Sequence, residues 1–79
     1  MSPTIARSGP FRLFFFSREE ERVHVHLSSS EGEAKFWVEP RIELARNHGS
    51  SDRDLARVER MVEDHEQEIR DAWTRHFTS

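Results

Sequence analysis

The chain has 79 residues, no cysteine, and 12 lysines and arginines against 15 acidic residues, for a formal charge of -3. These numbers exclude a disulfide framework, a thiolate metal site and a cysteine nucleophile, and the negative balance argues against a simple electrostatic nucleic-acid binder. At this length one core only just offsets chain entropy, so stability is expected to rest on the six Phe and two Trp or on a partner.

Residues 1–10 contain Pro3, Gly9 and Pro10 and are expected as an extended arm or short edge strand closed by a Gly-Pro turn. Residues 11–16, Phe-Arg-Leu-Phe-Phe-Phe, are too short for a helix and too aromatic for a loop, so they read as a strand. Phe11, Leu13 and Phe15 share one side; Phe14 and Phe16 share the other with Arg12. The charged stretch 17–21 has hairpin-loop length and would return the chain antiparallel.

Residues 22–27, Arg-Val-His-Val-His-Leu, alternate strictly. Val23, Val25 and Leu27 then face the core, and His24 and His26 stand together on the opposite side. After a turn at 28–33 containing Gly32, alternation resumes with Ala34, Phe36 and Val38 inward and Lys35, Trp37 and Glu39 outward. Pro40 interrupts the ladder, and 41–44 reads as a short strand or edge segment.

Residues 47–51 read as a loop, and Ser51 followed by Asp54 is a helix-capping pattern. From about Asp52, residues Leu55, Val58, Val62, Ile69, Trp73 and Phe77 recur at helical spacing. His65 stands on that stripe in place of an apolar residue, so a break is allowed between 63 and 67 and the ring is expected to bond a backbone carbonyl. The whole reads as one α+β domain over 1–79: an antiparallel three- to four-stranded β-meander over 11–46, then an amphipathic helix over 51–77, kinked or split, packed on one face. No apolar run approaches the roughly 20 residues of a membrane helix, and the start lacks a signal-peptide pattern, so a cytoplasmic protein without membrane contact is expected.

The concentrated chemistry is the His24/His26 face. As ligands the pair would need a third donor such as His48, His65 or a carboxylate, and two histidines alone do not define a metal site; no metal or other cofactor is assigned. As catalysts, His24 or His26 would serve as general acid or base, with Arg12, Lys35 or Arg41 stabilising charge on a phosphoryl group, as in a ribonuclease-like toxin. The competing reading, which ranks first, is that Phe14, Phe16 and Trp37 form an apolar interaction surface that one helix cannot cover and that a homodimer or another protein buries.

The chain also resembles the small bacterial proteins of domain-of-unknown-function family 4160. The resemblance rests on Pro3-Thr4-Ile5, the 11–17 strand Phe-Arg-Leu-Phe-Phe-Phe-Ser, His24-Val25-His26, Ala34-Lys35-Phe36-Trp37, Glu63-Asp64-His65, Ile69 and Ala72-Trp73. The Pro-Pro-His entry frequent in such proteins is replaced here by Glu21-Arg22-Val23-His24. The resemblance implies a component of a two-gene, toxin-antitoxin-like module with a protein partner encoded nearby, and no settled enzymatic activity.

Overall fold

The computed structural model describes residues 4–15 and 22–77. Five strands, β1 (Thr4–Ser8), β2 (Phe11–Phe14), β3 (His24–Ser28), β4 (Glu33–Trp37) and β5 (Glu43–His48), precede two helices, α1 (Asp52–Asp64) and α2 (Glu66–Phe77). The strands form one antiparallel sheet in chain order. This is the expected α+β architecture, with five strands where three to four were expected.

The strands outside the central three are the edges, each expected only as a short edge strand or a less regular segment, and the alternation signal is weakest there. β1 carries a register irregularity between Thr4 and Ala6. β5 is exposed along all six residues, so it has no buried face to leave a period-two trace. It starts two residues later than the 41–44 segment and takes in Asn47 and His48, which the sequence pattern assigns to a loop. Arg41 therefore precedes the strand, with its Nε 3.8 Å from Glu43. The 17–21 connection lies outside the described residues.

Pairing sets the two faces. Leu13 pairs with Leu27 and Leu27 with Ala34, while Val25 pairs with Phe36, so the inward residues of three strands stack in rows. Val58, Met61 and Val62 of α1 and Ile69 and Trp73 of α2 close over these rows, at the spacing one helical stripe requires. Fully enclosing a large aliphatic or aromatic side chain contributes about 1.5–3 kcal/mol, and among the described residues the core has 14 members at 9% exposure or less, all but Ala34 of that larger kind.

Local chemistry fixes the junctions. Ser51 caps α1, its Oγ accepting from the Asp54 amide at 3.1 Å. The helical stripe breaks at His65, whose Nδ1 lies 2.8 Å from the Met61 carbonyl oxygen and whose amide donates to Met61 and Val62. A carbonyl can only accept, so Nδ1 carries the proton. The β3–β4 turn is held by Ser29, whose amide donates to the Gly32 carbonyl at 3.0 Å. A peptide in the cis form joins Glu39 to Pro40 where the ladder is interrupted.

Candidate functional site on the open face of the sheet

The side of the sheet away from the helices is built by cross-strand rows. In one row Phe14, His26, Lys35 and Arg46 follow one another across β2, β3, β4 and β5. In a second, Arg12 pairs with Ser28, Ser28 with Glu33, and Glu33 with His48. In a third, His24 pairs with Trp37 and Trp37 with Glu43. Directly opposed residues have Cβ atoms about 5 Å apart, so these rows are contact groups and not merely a shared face.

Cations cover the aromatic rings of this surface. The Arg12 guanidinium sits 4.6 Å from the Phe14 ring centroid and donates through Nε to Thr4 Oγ1 at 2.8 Å. His26 stacks on the other part of the same aromatic cluster, 5.6 Å from Phe14 with planes at 29°. Trp37 is flanked by Arg22 at 4.2 Å and Lys35 at 4.4 Å. Such contacts contribute roughly 0.5–2 kcal/mol each, the larger figure when desolvated.

This tiling corrects the expectation that the sheet's second face stays wet and apolar in a lone chain. Phe14 is only 6% exposed. Trp37 is half-buried, and Leu44, at 41%, is the large hydrophobic residue that stands exposed among the described residues. Phe16, the remaining member of the expected apolar surface, lies outside the described residues.

His24 and His26 are adjacent, 5.1 Å between ring centroids, but they differ in environment. His26 is half-buried at the surface. His24 is completely enclosed: Nδ1 lies 2.8 Å from the Arg22 carbonyl oxygen, Trp37 covers it at 5.6 Å, and Trp73 reaches it from α2 at 5.1 Å. Arg12 and His26 both meet the Phe14 ring, whereas the strand register sets Arg12 away from His24. Arg12 pairs four residues further along β3, roughly 13 Å away at the rise of a strand. His65 belongs to the helical layer, whereas His48 shares a cleft with His26. Among the described residues no three acidic, His or Cys side chains converge as a metal site would require.

That cleft, about 290 Å³, is lined by His26, Glu33, Ala34, Lys35, Arg46 and His48. It gathers two permanent cations and two imidazoles around one carboxylate. Sequence reasoning missed Arg46 and Arg22. Arg22 precedes the alternating strand core, and Arg46 lies in the edge strand that lacks a hydrophobic period; the cross-strand register, absent from any local pattern, is what brings Arg46 to Lys35.

No described helix is long and apolar enough to cross a membrane. No curated protein and no solved structure matches the chain. A family match does extend over residues 11–74, from the aromatic strand through Trp73, and thus over most of the sheet and both helices: the chain belongs to the family described as Domain of unknown function (DUF4160).

Proposed function

We propose that this protein is the binding component of a two-gene, toxin-antitoxin-like module, acting in the cytoplasm by holding a protein partner that adds a strand to the sheet along β5. The observation that carries the reading is the state of that edge. β5 is six residues long, terminal in the sheet, exposed throughout, and carries the exposed Leu44. An edge strand offers a row of main-chain donors and acceptors that an extended segment can complete, with alternate side chains supplying specificity. The opposite edge, β1, is approached by α2.

The enclosure of His24 favours a binding role over catalysis centred on the histidine pair, because a substrate would meet only His26 of the two. Co-expression with the product of the neighbouring gene tests the proposal. The expected result is a stable complex in which the amides of 43–48 gain protection from hydrogen exchange and Leu44→Glu weakens association at least about tenfold. A complex that leaves those amides exchanging as in the free chain removes the β5 assignment.

A further inference from the structure

The net charge of -3 is not spread evenly. Between residues 52 and 77 there are eight acidic residues against five arginines, so the helical layer accounts for the whole of it. On the open face of the sheet the balance reverses: Arg12, Arg22, Lys35 and Arg46 stand there against Glu33 and Glu43, and Glu43 is already 3.6 Å from Arg22. A chain that is acidic overall therefore presents one cationic, ring-bearing face.

We infer that this face binds single-stranded RNA, with a backbone phosphate seated in the cleft among His26, Lys35, Arg46 and His48 and a base stacked on Trp37. The phosphate assignment follows from the cleft's donors. Lys35 and Arg46 are neighbours in one cross-strand row, His26 flanks them on β3, and His48 approaches from the next row of β5. All four can donate to an anion, and two carry permanent charge. Glu33 is the one carboxylate lining the cleft. It repels a phosphate but accepts from a hydroxyl, so it suits the ribose 2′-OH, the group by which RNA is told from DNA.

The base assignment follows from Trp37, which shares the face with Lys35 and already has a cation on its ring from each of two residues. A phosphate that draws Lys35 into the cleft uncovers part of the indole, and an unpaired base has the flat apolar surface to replace it. A purely acidic peptide would meet the cations but carries no aromatic ring to stack on the indole. A duplex keeps its bases stacked inside and is disfavoured for the same reason. The inference goes beyond the β5 reading and does not depend on it, since one concerns side chains on the face and the other the main chain of the edge.

The test uses the full chain without a partner and a fluorescent mixed-sequence RNA of about a dozen nucleotides, followed by anisotropy as salt is raised from about 50 mM. Expected are saturable binding, a log-log salt slope of about -0.7 or steeper, corresponding to at least the one phosphate in the cleft, and weaker binding of the same sequence as duplex or as DNA. Lys35→Glu with Arg46→Glu should lose roughly tenfold or more in affinity, and Trp37→Leu should reduce affinity for RNA at high salt, where stacking dominates. His48→Glu, at the exposed edge, serves as the charge variant if the double change unfolds the chain. Absence of binding at about 100 µM protein and low salt overturns the inference, as does equal affinity for polyglutamate of the same length, which would identify an acidic-protein surface. Equal binding of DNA overturns the assignment of Glu33 to the ribose.

Discussion

The indole of Trp73, on α2, meets the imidazole of His24, on β3, with ring centroids 5.1 Å apart and planes at 63°. Trp73 also touches Phe15 at 5.3 Å and Phe77 at 4.2 Å, so one side chain closes the aromatic end of the core and seals the histidine that begins β3. His24 thus holds α2 against the sheet while its Nδ1–H is spent on the Arg22 carbonyl.

Trp73→Ala is expected to destabilise the fold by about 3–5 kcal/mol, and His24→Ala by about 2–4 kcal/mol, through the cavities they leave. Because each ring is the other's cover, the double variant should cost at least about 0.5 kcal/mol less than the sum of the two. Urea denaturation of the four proteins measures this directly. Additive losses would show that the two rings contribute independently.

His24 also marks where local sequence stops being informative. Alternation correctly assigned Val23, Val25 and Leu27 to the core and paired His24 with His26 on the other side, and it assigned Ala34, Phe36 and Val38 inward in β4. The Ser51 cap and the interruption at His65 were legible because each depends on neighbours within four residues. The enclosure of His24 was not, since it depends on Trp73, 49 positions later in the chain, reaching the end of β3. The burial of Phe14 was hidden for a related reason: its covers, Arg12 and His26, are polar in any pattern reading, and His26 reaches the ring only after β2 and β3 are paired. The cleft is legible least of all, being assembled from three strands by register alone.

Two glycines meet where the β3–β4 turn passes the end of β5. A Cβ on Gly32 would collide with the carbonyl oxygen of His48 and lie 2.8 Å from the Gly49 carbonyl carbon. Gly49 adopts φ +87°, and a Cβ there would meet the Glu31 carbonyl oxygen at 2.8 Å. Gly32→Ala is therefore expected to cost about 1–3 kcal/mol and to shift the amide resonances of His48 and Ser50, because only backbone can give way. A wild-type melting curve for Gly32→Ala would mean that the turn and β5 separate freely.

The cap of α1 offers a smaller effect with a defined location. Ser51→Ala removes the hydroxyl that accepts from Asp54 and should cost about 1 kcal/mol, whereas Ser51→Asp should retain most of the stability through the same bond. Hydrogen exchange should quicken in the first turn of α1 and leave α2 unchanged, which separates loss of the cap from a general loosening.

Arg70 ties the start of α2 to the end of β4. Its guanidinium donates to Glu39 Oε1 at 2.6 Å, to the Val38 carbonyl at 3.0 Å and to Glu66 Oε2 at 3.0 Å, with the side chain 29% exposed. Three acceptors in different directions match a planar fork of donors and not a single ammonium point. Arg70→Ala should lose about 1–2 kcal/mol, discounted for the exposed carboxylates of Glu39 and Glu66, and Arg70→Lys should recover less than half of it. The Val38 contact is the part that salt cannot screen away, because its acceptor is a neutral carbonyl in a buried residue. Denaturation at low salt and again near 1 M salt should therefore shrink the Arg70→Ala loss without abolishing it. A loss that vanishes entirely at high salt would assign the whole contribution to the two ion pairs and none to the link with β4.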